Sequence, residues 1–494
     1  MADVLIVGAG PTGLTLALWL TRFGVSVRVV DRAEGPGTTS RALVVQARIL
    51  EHYAQLGLAD EVIEQGIPGA GANLWVKGER KAHVSFAEMG RGVSPYPYAL
   101  IFPQDAHERF LVKVLEREGV TVERGTSVVA LREESDGVLA RVQREGGGSE
   151  EIRAKYVAGC DGARSFVREA IGAGFAGGTY AHRFYVADVT ADGSLPQREL
   201  SIALDDADFV AAFPLVEPGH WRLVGALNDE TRGDAAGWED VRQDALRQLP
   251  LKVRDVGWFS TYRVHHRVAR EFRRGRAFLL GDAAHIHSPV GGQGMNTGIG
   301  DAVNLAWKLA AVLHANWPSS SLSSYECERR GFAQKLVATT DRAFTFISRD
   351  GALARLVRTQ VVPAVLPRFM ASESGRRLAF RTVSQTGVEY RACPLSAGTV
   401  GSVHGGDRLP WVKLNGDARG DNFSALRSLR WQMHVYGRVD AEAERYCAER
   451  RFELHVFPWQ DPMERAGLVR DAFYLVRPDG YLASASYRLV SGAA

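Results

Sequence analysis

"DVLIVGAGPTGLTLALWLTRFG", residues 3–24, decides the fold. An apolar run ends at Gly8, and Gly8, Gly10 and Gly13 take G-x-G-x-x-G spacing before an apolar, helix-forming stretch. The next segment, "VSVRVVDR" (25–32), is a second β-branched strand ending at Asp31. Gly8 permits a tight turn, and Gly10, beside Pro11 and Thr12, lets a pyrophosphate approach the backbone. Gly13 lets the helix sit close to the strand, and the helix N-terminus faces the phosphate charge. Asp31 stands about where a ribose-binding acid is expected, roughly 20 residues on. The stretch predicts a Rossmann-like dinucleotide site but does not choose between NAD and FAD.

Length and composition bound the rest. A chain of 494 residues predicts two or three domains. A hydrophobic content of 46% with 24% charged residues is that of a soluble globular protein. Lys+Arg 60 against Asp+Glu 57 gives no reason to expect nucleic acid or a membrane surface. Cys160, Cys327, Cys393 and Cys447 are far apart, without CxxC or zinc spacing, which fits a reducing cytoplasm better than a disulfide framework. The start "MADVLIVGAG" has no basic n-region, so secretory targeting is not expected, and no apolar run approaches a membrane span.

Two later stretches bear on the cofactor. "IRAKYVAGCDGARSFVR" (152–168) runs a strand into Asp161-Gly162, then Arg164 and a helix. "RAFLLGDAAHIHSPVGGQGMNTGIGDAVNLAWKLAAVLH" (276–314) runs a strand into Gly281-Asp282, a glycine-rich loop and a long amphipathic helix. Five glycines from Gly281 to Gly298, beside Asp282, imply that something large and polar lies against this backbone.

In this order and at these distances, the three pieces resemble the fingerprints of class A flavoprotein monooxygenases. These are FAD-dependent aromatic hydroxylases of the para-hydroxybenzoate hydroxylase superfamily. "HHRVAREFRRGRAFLLGDAAHIHSPVGGQGMNTGIGDAVNLAWKLA" is closer still to its phenol and aromatic-polyketide hydroxylase branch. The resemblance continues through "SRALVVQARILEHYAQLGL", "FPQDAHERFL" and "SYECERR" to "VRPDGYLA", covering nearly the whole chain.

That resemblance implies a set of FAD contacts. Asp282 would bond the ribityl chain, while Gly291, Gly292 and Gly294 would let the flavin ring lie against main chain. Met295 and Asn296 would begin a helix whose N–H groups face the flavin. Pro289, with Gly292, would be nearest the reacting face. Arg41 and Gln104 would reach the flavin and phosphates, Val129 the adenine edge through its backbone, and Arg32 the adenine face. Asp161 would join the cofactor-binding set. No catalytic base is evident. Tyr185, Phe209, Phe213 and Tyr262 are candidate lining for the substrate pocket, with plain core packing the alternative.

The expected fold is α/β, with three parts. A discontinuous FAD domain comprises 1–77, 101–173 and 268–368. A mixed or antiparallel substrate-domain sheet takes 78–100 and 174–267, from the apolar–polar alternation there. After a connection over 369–398, the family has a thioredoxin-like domain, here 399–494 and without CxxC. "SSYE" (323–326) has capping-box form, and "RPDG" (477–480) reads as a hairpin. His285 and His287 lack a third ligand at zinc spacing, so packing is expected and no metal. Six arginines within "YRVHHRVAREFRRGR" (262–276) read as a solvated strand–turn face that also attracts NAD(P)H phosphates.

The implied chemistry is hydroxylation of a phenolic or polycyclic, polyketide-like aromatic through a flavin C4a-hydroperoxide. NAD(P)H would be a transient electron donor and O2 the co-substrate, in a cytoplasmic monomer or homodimer. Baeyer–Villiger insertion into a polyketide ketone, and a flavin-binding module without oxygenation, remain open alternatives.

Overall fold

The computed structural model describes residues 2–37, 42–204, 209–227, 236–241, 243–288, 290–348, 357–416 and 420–489. Strand Ala2–Val7 lies inside the first sheet, parallel to Val27–Val30 on one side and Ser149–Gly159 on the other. Ala277–Leu279 continues the parallel set beyond Ser149–Gly159, and Val122–Glu123 beyond Val27–Val30. Helices Pro11–Arg22, Gln104–Arg117 and Gly294–His314 supply the packing that parallel strands need, and the apolar residues of Ala2–Val7, Val27–Val30, Ala277–Leu279 and the later half of Ser149–Gly159 join them in one core. One consequence positions the site. The first sheet's parallel strands run the same way, so Gly8, Asp31, Asp161 and Gly281-Asp282 all follow carboxyl ends at one edge.

The second sheet is built around two 19-residue strands, Phe175–Gly193 and Leu251–Ala269, paired antiparallel. Its pairs are antiparallel except Glu199–Leu204 with Gly71–Val76, so the expected mixed sheet is found. It takes in the Gly71–Val76 strand, which precedes the boundary expected at residue 77. Its two faces bury different clusters, as side-chain alternation requires. Tyr185, Ala187, Trp221, Leu223 and Phe259 pack with Val241, Leu246 and Leu249 on one face. Phe184, Val264, Phe209 and Tyr262 cluster on the other.

Near the C-terminus, Gln432–Tyr436 pairs parallel with Glu453–Phe457 through helix Ala441–Arg450. It also pairs antiparallel with Phe473–Val476, which hairpins into Leu482–Ser486. The hairpin turn is the expected Arg477–Gly480, where Gly480 takes φ +75° and donates its N–H to the Arg477 carbonyl. No described helix is long and apolar enough to cross a membrane.

Two sequence expectations are corrected here. Cys327 and Cys393 form a disulfide, with Cα atoms 6.0 Å apart and a sequence separation of 66. Spacing held no sign of it, because tertiary folding brings helix Ser323–Ser348 against the later loop. Glu326 does not complete a capping box: Ser323 already lies in the helix, and Glu326 Oε2 accepts the N–H groups of Phe272 and Arg273. The arginine-rich run is also used structurally. Arg273, Arg274 and Arg276 donate to the carbonyls of Ser319, Ile171 and Ser135 respectively.

Candidate functional site

The three glycines of the first turn do different work. Gly8 has φ +104°, and a Cβ there would lie 2.3 Å from the Cys160 carbonyl oxygen. A Cβ at Gly13 would lie 2.0 Å from the Gly8 carbonyl oxygen, so helix and turn are in contact. At Gly10 nothing lies within 4 Å of that position. The outer glycines therefore serve internal packing, while the middle one keeps space open above the turn. Helix Pro11–Arg22 begins there with no side-chain cap and no acid in its first turn.

Helix Gly294–His314 repeats the arrangement. Its N-cap, Gln293, makes no cap bond, its first turn holds no acid, and Gly294 again has nothing within 4 Å of a Cβ. The two helix starts meet at Thr12, whose Oγ1 would be 2.7 Å from a Cβ at Gly281 and 2.3 Å from one at Gly298. Uncapped N–H groups carry partial positive charge, and two such ends along one cleft suit an elongated anionic cofactor.

The second sheet brings strand His285–Ile286, directly after the Gly281–Ala283 turn, into register with Arg267 and Val268. On the face carrying Phe184, the Phe209 and Tyr262 rings each stand 6.0 Å from it. Arg222 holds Asp188 with two hydrogen bonds, of 2.6 and 2.7 Å, and its guanidinium stands over Trp258. Among the described residues this face combines aromatic rings with the Arg222–Asp188 pair.

Residues 1–340 match the FAD binding domain family. The chain is 34% identical to 6-methylpretetramide 4-monooxygenase from Streptomyces rimosus, over 98% of this chain and 91% of that protein. Among solved structures, anhydrotetracycline hydroxylase from Streptomyces rimosus superposes with a TM-score of 0.78 at 30% identity, covering 98% and 95% of the two chains. Aklavinone-11 hydroxylase, determined with FAD and aklavinone, superposes with a TM-score of 0.79 at 26% identity, covering 100% and 97%. The chain belongs to this family. It is an FAD-dependent enzyme of the monooxygenase class, as the resemblance implied.

With the family established, the expected contact residues can be located. Asp31 accepts the N–H groups of Ala9 and Ala33, at 2.5 and 2.7 Å, so it shapes the first turn from the end of its strand. Asp282 is exposed at the strand edge, whereas its neighbour Gly281 donates its N–H inward to Asp301. Val129 sits at a bulge: the register passes from Val128 opposite Val142 to Ala130 opposite Arg141, leaving Val129 with no opposite residue. Gln104 opens helix Gln104–Arg117 and bonds Glu108, and Arg32 is exposed after Asp31. Gly292 is left-handed, at φ +63°, against Val44. Arg41 and Pro289 lie outside the described residues.

Several side chains are engaged otherwise than expected. Asp161 accepts from Ser165 Oγ and the Val167 N–H, where Ser165 caps helix Phe166–Ala170. Burial raises its carboxyl against those bonds. Asn296, fully buried beside half-buried Met295, pins the loop by donating to the carbonyls of Val44 and Gly292 and accepting from the Gln46 N–H. Tyr185 faces away from Phe184, stacked on Phe259 at 6.0 Å, and so lies on the other face of the sheet from Phe209 and Tyr262. Phe213 alternates with buried Ala212 and so shares Phe209's face.

Sequence reasoning missed the support beneath the loop. Asp301, fully buried, accepts from the Gly281 N–H at 2.9 Å and from Arg329 Nε at 2.6 Å, with His285 Nε2 2.7 Å away. Arg329 continues to the Tyr390 hydroxyl. Burial alone would push the Asp301 carboxyl up; Arg329 and His285 hold it down. The available signal was polar spacing on an apolar helix: Asp301, Asn304 and Lys308 recur on one buried face of Gly294–His314. His285 packs on Phe272, and burial with His285 beside it pushes His287 down to about 4. Among the described residues no group of three acidic, His or Cys side chains could hold a metal.

Proposed function

We propose that the protein is an NAD(P)H-consuming hydroxylase of a phenolic, polycyclic, polyketide-like aromatic. The observation that carries this reading is the pairing of two open, uncapped helix starts with an aromatic sheet face. The first suits FAD and the second a flat, apolar substrate. FAD supplies the oxygen-activating chemistry when bound.

The chain's part is binding, orientation and exclusion of water. The open turn at Gly10 would admit the diphosphate, with Asp31 at the ribose. Asp282 and the N–H groups of Gly294, Met295 and Asn296 would hold the flavin end, with Arg41, Gln104 and Pro289 completing the set. Phe184, Phe209, Phe213 and Tyr262 would cover the reacting ring and keep water out. Arg222 and Asp188 would orient a substrate oxygen. The 399–494 domain, read as thioredoxin-like and lacking CxxC, serves as a packing partner rather than a redox centre. We place the enzyme in the cytoplasm, as monomer or homodimer.

The test is a panel of phenols, naphthoquinones and anthraquinones, reading NAD(P)H oxidation and then products formed under labelled O2. A polycyclic phenol should accelerate oxidation and emerge with one labelled hydroxyl. Label in a lactone ring, or no stimulation by any aromatic, would overturn the reading. Phe209→Ala and Tyr262→Ala should each raise KM for the accepted aromatic by roughly tenfold, the scale of one aromatic contact. Tyr185→Phe should leave that KM where it was, because the ring lies behind the sheet.

A further inference from the structure

Helix Glu373–Val383 carries Arg377 and Arg381 four residues apart, so both lie on one face. That face borders a cleft of about 120 Å3, whose other walls include Arg391, Arg408, Asp407, Thr386 and Trp411. The volume is about that of four water molecules. Two of the four arginines are already neutralised. Arg408 grips the buried carboxylate of Glu51 with two bonds, and Arg391 takes Asp407 and Glu389. Among the described residues, no carboxylate pairs with Arg377 or Arg381 and neither guanidinium makes a hydrogen bond. Like charges four apart on a helix are unfavourable unless something answers them. Burial foremost, with Arg408, Arg377 and Arg391 beside it and Asp407 opposing, lowers the Arg381 guanidinium.

We propose that this cleft is a phosphate-binding subsite. Guanidinium forks match phosphate oxygens in pairs, and the cleft is fixed to the flavin loop. Gln293 donates to the carbonyl of Val383, the last residue of the arginine-bearing helix, and Gln385, next to Thr386, donates to Gln293 Oε1. Two sources share this chemistry: a phosphate of the reduced pyridine nucleotide, and a free phosphate. The nucleotide is favoured because the one further G-x-G-x-x-G spacing, Gly172, Gly174 and Gly177, leads into strand Phe175–Gly193 rather than a helix and so offers a nucleotide phosphate no helix N-terminus; this part rests on the NAD(P)H-dependent reading above.

The holoenzyme and its Arg377→Ala/Arg381→Ala variant are to be titrated calorimetrically with inorganic phosphate and with adenosine 2′,5′-bisphosphate. KM for NADPH is measured in parallel. Wild type should bind both ligands. The variant, with unchanged flavin content and melting temperature, should bind each at least tenfold more weakly and show a KM for NADPH at least tenfold higher. A wild type that binds neither ligand, or a variant that binds both as wild type does, overturns the subsite. Weakened phosphate binding with an unchanged KM overturns the nucleotide source. The binding arms stand even if no aromatic ever stimulates NADPH oxidation, which would count against the hydroxylase reading alone.

Discussion

Gly10→Val is expected to purify as a folded but largely colourless protein. Gly10 has φ −79° and ψ −178°, extended backbone that a β-branched residue adopts readily. No protein atom lies within 4 Å of the new Cβ, so apo stability should stay within about 0.5 kcal/mol of wild type. The side chain would instead occupy the space above the turn. Overpacking of about 1–3 kcal/mol corresponds to roughly five- to 150-fold in FAD affinity, read as visible flavin absorbance per protein. Gly13→Val is the contrast, because its Cβ meets the Gly8 carbonyl and the apo fold itself should fail. A Gly10→Val protein that binds FAD as tightly as wild type would remove the diphosphate from that turn.

Glu328→Gln should be the costliest single change remote from the flavin. Glu328 is buried with Arg477 at 2.7 Å on one oxygen and Lys308 at 2.7 Å on the other, and it also accepts from Asn304. Removing its charge leaves Lys308 without a carboxylate partner and Arg477 with Asp479 alone, a loss of about 3–5 kcal/mol measurable by urea unfolding. Acid provides a second reading. Burial would push the Glu328 carboxyl up, but Arg477 and Lys308 outweigh it and hold it at about 2, against an ordinary 4.5. The unfolded carboxyl therefore takes up its proton first. The group's stabilisation, about 3 kcal/mol, is complete above pH 4.5 and disappears as pH falls toward 2. Glu328→Gln should flatten the stability–pH curve in that window by up to one proton; an unchanged slope would refute the assignment.

What could be read from the chain follows the range of the physics involved. The constraints on Gly8 and Gly13 are steric and local, so spacing alone announced them: a Cβ at either would meet backbone, whereas at Gly10 it would meet nothing within 4 Å. The fingerprint stretches ending at Asp161 and Gly281-Asp282 could be located in sequence, because each follows a strand whose last residues are apolar and buried. The direction of an aromatic side chain could not. Tyr185 and Phe184 are neighbours on a strand with apolar residues on both faces, so one-residue parity decided which ring joins which cluster. Arg477 was harder still. "RPDG" reads as a solvated turn, yet this arginine is completely buried because its partners, Glu328 and Asp479, converge on it. Unlike Asp301 and Lys308, whose helical spacing is visible, the burial of Arg477 and the Cys327–Cys393 link leave no periodic trace.

The burial of Arg477 limits how relatives of this enzyme can be recombined. A chimaera that takes its tail from another parent at the 369–398 junction would bring a foreign residue against Glu328, Lys308 and Trp307, whose indole N–H already donates to Asp479. Successful crossovers should therefore be those in which the 308, 328, 477 and 479 positions are inherited together from one parent.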